Sequence, residues 1–177
     1  MFAKFDLESE ILKEHSKKNT IRLARWVGHD AGRFALLMNL FLGHDAQCAR
    51  RASWIMTYCI EKHPNLAVPW IQKLIAQCLQ TNAHDAIQRN VMRSLQFVNI
   101  PRGKQGIVVN AGFEILQSVR SSIAAKAFSM TVLANIANRE PDLKKELILV
   151  LEEILAYPGT AGLHSRARHV LKKELLP

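Results

Sequence analysis

Three His-Asp pairs are the residues of this sequence best suited to chemistry. They stand immediately before predicted helices, at His29-Asp30, His44-Asp45 and His84-Asp85. Imidazole and carboxylate groups together suit divalent transition metals, and a metal held by them would support hydrolysis of phosphate esters. An Asp at the start of a helix can instead accept backbone N–H bonds, an arrangement that the helix dipole favours. We favour helix capping for all three pairs and predict neither a metal site nor a cofactor.

Other motifs for nucleophilic or phosphate chemistry are missing from the sequence. No Gly-x-Ser-x-Gly motif occurs, and Gly103 and Gly106 do not belong to a phosphate-binding loop. Glu152 and Glu153 are not an acid/base pair, because neighbouring residues of a helix point about 100° apart. No Cys-x-x-Cys pair occurs either, so we predict small buried hydrophobes at Cys48, Cys59 and Cys78. We therefore predict that the chain has no catalytic residues.

The composition favours one folded domain, residues 1–177, with an excess of basic side chains. Hydrophobic residues make up 49% of the 177 residues and charged residues 22%, and the net charge is +9. The stretch 46–139 holds eleven Lys and Arg residues against three acidic ones. Such a field can recruit acidic proteins or phosphates, although the same side chains could simply solvate the outer faces of helices.

No targeting or membrane segment is visible in the sequence. The apolar stretch 34–42 is far shorter than the roughly 20 residues that a membrane-spanning helix needs. The first residues lack the apolar core of a secretory signal. We therefore expect a cytoplasmic protein that does not bind membranes.

The hydrophobic pattern predicts about ten helices and no strands. Apolar residues recur at spacings of three and four, and short breaks containing Pro or Gly interrupt them. The predicted helices cover residues 6–14, 17–27, 30–42, 45–62, 68–79, 84–98, 104–119, 122–138, 142–156 and 161–175. Because the loops between them are short, neighbouring helices should form antiparallel hairpins.

Four of the predicted helices share an apolar stripe of the form i, i+4, i+8. The stripes begin at Cys48, Ile87, Ile123 and Leu163, so the period is 36 to 40 residues. The middle position of each stripe is Ala, Val, Ala or Ala, and such small residues let stacked helices approach closely. The sequence therefore predicts repeated helical hairpins.

A second feature has the same period, namely a cap-like residue followed by a base. The pairs are Asp45 and Arg50, Asp85 and Arg89, Ser121 and Lys126, and Ala161 and Arg166. In this feature the chain resembles the HEAT repeat family, which has an Asp in the turn within each repeat and an Arg on the second helix. The resemblance implies an all-α fold, an α-solenoid of about four hairpins over residues 30–177. Residues 1–29 would then be N-terminal capping helices.

The resemblance implies a non-catalytic protein-interaction or scaffold module that uses a basic solenoid surface. We expect that surface to include Arg50, Arg51, Trp54, Arg89, Arg93 and Lys126. Arg and Trp are favoured anchors of binding surfaces, although Trp54 could instead pack in the core. The expected partner is an acidic protein or peptide. The alternative is a nucleic-acid-binding protein related to the HEAT-like proteins that repair alkylated DNA.

Overall fold

The computed structural model describes residues 5–81 and 84–175, which form helices and connecting turns and include no strand. The α-helices in chain order are α1 (Leu7–Lys13), α2 (Lys17–Val27), α3 (Ala31–Phe41), α4 (Ala46–Lys62), α5 (Ile71–Cys78), α6 (Asp85–Leu95), α7 (Arg102–Gln117), α8 (Ile123–Ala137), α9 (Pro141–Ala156) and α10 (Ala161–Val170). A 3-10 helix, Pro64–Trp70, precedes α5, and a π-helical segment, Leu171–Leu175, follows α10. The predicted all-helical class is therefore confirmed.

One helix begins later than the sequence pattern indicates. We predicted a helix from Val68, but α5 starts at Ile71 and the preceding residues form the 3-10 helix. The reason is Pro69, which has no N–H to donate and whose ring clashes with the preceding helical turn. The tighter 3-10 turns accommodate the two prolines of this segment.

The His-Asp pairs lie at helix starts, as predicted, but they do not all act in the same way. Asp30 Oδ1 accepts the Arg33 N–H at 2.8 Å, and Asp45 Oδ1 accepts the Cys48 N–H at 2.6 Å. The prediction of capping by Asp is wrong for the third pair. There the Nδ1 of His84 is the cap, and Asp85 is the first residue of α6, where the helix dipole favours its charge.

The helix caps define the repeat more sharply than the apolar stripes do. The second helices of the four predicted hairpins are capped by the side chains of Asp45, His84, Ser122 and Thr160. Their successive spacings along the chain are 39, 38 and 38 residues. A side chain that accepts an N–H from the first turn therefore recurs at the start of the second helix of each predicted hairpin.

This cap register corrects one of the four predicted stripes. The stripe placed at Ile123 is wrong, since Ile123 is 45% exposed. The buried stripe of α8 begins two residues later, at Ala125, Ser129 and Leu133. Because α8 has apolar residues on most of its surface, hydrophobic spacing alone does not identify its core face.

The chain divides into two compact units, Met1–Asn99 (unit 1) and Ile100–Pro177 (unit 2), and the boundary falls at the break predicted around Pro101. In unit 1, α4 packs against α1, α2, α3 and α6, and α5 packs against α6. In unit 2, α8 packs against α7, α9 and α10, around a core that includes Leu133, Leu147 and Leu151.

Within the described residues, no helix is both long enough and apolar enough to cross a membrane.

Candidate functional site

Helices α4 and α6 of unit 1 run parallel to each other. Three side-chain contacts join them in the same order along both helices, namely Arg50 to His84 at 3.5 Å, Ser53 to Asn90 at 2.9 Å, and Glu61 to Arg93 at 3.6 Å. Parallel packing brings the N-termini of both helices to the same end of unit 1. The positive ends of the two helix dipoles, with their N–H groups, therefore lie close together.

A cleft of about 580 Å³ lies at these N-termini, and we call it the α4–α6 cleft. The turn before α4, the C-terminal part of α5 and the start of α6 form its walls. Its polar lining residues are His44, Gln47, Arg50, Gln77, Gln80 and His84. Within the described part of the chain, no acidic residue lines it. The described lining residues thus combine one guanidinium, two imidazoles and three carboxamides, which together favour an anionic or hydrogen-bond-accepting ligand.

Two carboxylates near the cleft do not line it. Asp45 lies before α4, where its Oδ1 accepts the Cys48 N–H, and Asp85 is the first residue of α6. Each carboxylate offsets part of the positive potential of its own helix terminus. The charge in the lining itself comes from Arg50.

Of the six residues predicted to form a binding surface, Arg50 alone lines the α4–α6 cleft. Its neighbour Arg51 has an internal role, since its Nη1 donates to the carbonyl oxygens of Ile11 at 3.2 Å and Leu12 at 2.8 Å. These carbonyls belong to the last turn of α1 and lack partners within that helix. Trp54 is half-buried, and its ring meets the exposed His15 edge to face at 5.4 Å.

The other three predicted residues lie outside this cleft. The Arg89 Nε contacts Asn90 Oδ1 at 3.4 Å, and Arg93 pairs with Glu61 and lies 5.8 Å from the centre of the Tyr58 ring. In unit 2, Lys126 lines a separate cleft of about 430 Å³ that also contains an acidic side chain, Glu153. The structure thus distributes the predicted basic residues among different local roles.

The sequence pattern did not identify His44, His84 and the glutamines as partners of Arg50. A signal was available, because the second and third His-Asp pairs precede second helices of neighbouring hairpins. Equivalent turns of stacked repeats lie side by side, so residues at such turns converge.

Among residues 5–81 and 84–175, no group of three or more His, Cys, Asp or Glu side chains is arranged to hold a metal ion.

The cysteines are buried, as predicted, and their chemistry follows from that burial. Burial raises the pKa of Cys59 to about 12, and the pKa of Cys48 to about 11 with a further contribution from the charge of Glu8. The Cys59 Sγ lies 3.9 Å from the carbonyl oxygen of Ala24 on α2. Both thiols are therefore protonated and shielded in the folded protein.

This burial predicts slow alkylation of the folded chain. At about pH 8, where thiolates are scarce in groups with such raised pKa values, we expect iodoacetamide to modify neither Cys48 nor Cys59 in the native protein. Both should react fully after unfolding in urea. Mass spectrometry of the quenched samples measures the modification. Rapid native labelling of Cys59 would contradict the packing of α4 against α2.

A family model described as HEAT repeat domain matches residues 7–174, which cover parts of both units. Comparisons with curated proteins and with solved structures gave no match. HEAT repeats are generally protein-interaction scaffolds, and the family is typically non-catalytic. The match and the all-helical structure confirm the predicted fold class, a HEAT-like α-solenoid. The chain belongs to the HEAT repeat domain family.

Proposed function

We propose that this chain is a non-catalytic cytoplasmic binding module that holds an acidic segment of a partner protein at the α4–α6 cleft. The observation that carries the proposal is the lining of this cleft, which, among the residues that the structure describes, contains Arg50, two histidines and three glutamines but no carboxylate. A concave site with a few convergent polar groups is the usual form of a binding site. Its volume suits one or two side chains of a partner rather than a whole helix or strand.

Charge supports an acidic partner for two reasons. The net charge of +9 attracts acidic chains over long distances and raises their rate of association. At short range, Arg50 favours a carboxylate within the cleft, and the positive ends of the α4 and α6 dipoles add to the attraction. Long-range attraction alone would make binding unspecific, so the cleft supplies the position at which a particular acidic side chain is held.

Nucleic acid is the less supported partner. Binding to a phosphate backbone needs several bases that remain available to successive phosphates. Arg51 is engaged with the last carbonyls of α1, and Arg93 is paired with Glu61. These engagements leave fewer bases for a continuous phosphate track, and they weaken the proposed relation to alkylated-DNA repair proteins.

Charge reversal at the cleft tests the proposal. We expect Arg50→Glu to weaken binding of a fluorescein-labelled peptide of alternating Glu and Gly by about tenfold or more, because it replaces an attractive charge pair by a repulsive one. Fluorescence anisotropy at constant salt measures the dissociation constant. The matched control is Arg120→Glu, which makes the same charge change on the exposed turn between α7 and α8.

The two variants separate a located site from a general field. Equal losses in Arg50→Glu and Arg120→Glu would show that only net charge matters, and the proposal would then be wrong. A duplex DNA of matched charge provides the other comparison. If DNA binds more tightly than the peptide at physiological salt and its affinity falls steeply with added salt, the nucleic-acid alternative is the correct one.

A further inference from the structure

The helix cap of α6 fixes the position of the proton on the His84 side chain. The Nδ1 of His84 accepts the N–H of Ala86 at 3.1 Å, so this nitrogen carries no proton. A neutral imidazole has one proton and can accept a hydrogen bond at only one of its two nitrogens. The proton therefore resides on Nε2, which makes Nε2 a donor.

This donor faces a second donor across the α4–α6 cleft. The His84 Nε2 lies 3.5 Å from the Nη1 of Arg50, and every nitrogen of a guanidinium is a donor without acceptor capacity. Neither group can satisfy the other. The Nε of Arg50 is also buried and has no hydrogen-bond partner among the described residues. An acceptor placed beside the two facing groups would bond to both of them.

We propose that Arg50 and His84 form a binding site for a single oxyanion, which a carboxylate of the acidic partner segment supplies. The inference rests on the proposed function and specifies the chemical group that the cleft recognises. A carboxylate has two oxygens and four lone-pair sites, so it accepts from the guanidinium and the imidazole at once. Charge-assisted bonds of this kind are about twice as strong as neutral ones.

The surroundings of the two donors favour an anion over a neutral acceptor. Arg50 is cationic, and the N-termini of α4 and α6 place positive partial charge at the same end. The carboxylates that precede α4 and begin α6 do not supply the oxygen, since neither Asp45 nor Asp85 lines the cleft. The carboxamides of Gln77 and Gln80 are joined by a 3.0 Å hydrogen bond and leave further polar atoms for the ligand.

Free anions provide a direct test by NMR of the ¹⁵N-labelled full chain. Sodium acetate and inorganic phosphate are titrated at constant ionic strength against sodium chloride, and the Ala86 amide, Arg50 Nε–H and His84 ring nitrogens are followed. We expect saturable shifts with acetate and phosphate but none with chloride. The long-range ¹⁵N spectrum of His84 should show a protonated Nε2 and an unprotonated Nδ1.

Conservative variants separate the site from its helix cap. His84→Asn retains an oxygen that caps α6 and removes the Nε2 donor, and Arg50→Lys retains the charge and removes the planar fork. We expect each to weaken the anion affinity by about tenfold, the loss typical of one charge-assisted hydrogen bond. Arg120→Lys should leave the affinity unchanged.

The outcomes distinguish this site from the broader proposal. A proton on Nδ1 of His84, or the absence of saturable shifts with both acetate and phosphate, would overturn the oxyanion site. Binding of the acidic peptide could persist in that case, so the proposed function would stand by its own test. Saturation by phosphate but not by acetate would overturn the assignment to a carboxylate and identify a phosphoryl group as the ligand.

Discussion

Replacement of Gly112 by Val is expected to destabilise unit 2 by about 3 kcal/mol, the upper range for overpacking of a buried helix contact. Gly112 is buried on α7, where this helix packs against α8. A Cβ at this position would lie 2.9 Å from both Cγ and Cδ2 of Leu133. Leu133 is fully buried, so it cannot swing into solvent to relieve the contact.

The same helix offers a matched control for this prediction. A Cβ at Gly106 has no neighbour within 4 Å, and Gly106 is exposed. Gly106→Val therefore makes the same change in helix propensity without the clash. It should change the free energy of unfolding by less than about 1 kcal/mol. Urea denaturation followed by circular dichroism measures both variants. Equal stability of the two variants would mean that α7 and α8 do not approach as closely as Gly112 permits.

Local chemistry explains why the helices could be predicted so closely from sequence. Their ends coincide with residues that act within a few positions along the chain, such as the Asp45 cap, the Gly28 terminus with φ of 56°, and Pro141 at the first turn of α9. A signal of this kind needs no knowledge of the tertiary structure. The stripe of α8 failed for the opposite reason, because selecting its core face requires knowing which neighbours cover it.

The candidate site depends on contacts that sequence spacing does not specify. Arg50 and Arg51 are adjacent and chemically identical, yet one lines the α4–α6 cleft and the other closes the last turn of α1. Their side chains leave α4 about 100° apart, so they meet different neighbours. The position of α1 decides which arginine remains available to a ligand, because α1 engages Arg51. The sequence alone does not predict where α1 lies relative to α4.

A buried polar contact below the cleft holds α4 and α6 in register. The Nδ2 of Asn90 donates to the Ser53 Oγ at 2.9 Å, and Ser53 Oγ in turn donates to the carbonyl oxygen of Arg50 at 2.7 Å. Asn90 is 3% exposed and Ser53 is fully buried. The chain of bonds therefore ends at the backbone of the residue that lines the cleft, in surroundings where an unpaired polar group is costly.

We expect Asn90→Ala to destabilise unit 1 by about 2 kcal/mol, because it removes a buried hydrogen bond and leaves a cavity between the two helices. The exposed Asn39 of α3 provides the control, and Asn39→Ala should change stability by less than about 0.5 kcal/mol. Urea denaturation measures both variants. A loss for Asn90→Ala no larger than that of the control would show that the contact contributes nothing to stability.

A double-mutant cycle locates the effect of Asn90 in its contact with Ser53. Ser53→Ala combined with Asn90→Ala should cost less than the two single changes together by about 1 kcal/mol, since both remove the same bond. Strict additivity would assign the loss to interactions of Asn90 other than its bond to Ser53. If the register of α4 and α6 also sets the 3.5 Å approach of Arg50 to His84, then Asn90→Ala should weaken acetate binding in the folded protein, whereas Asn39→Ala should not.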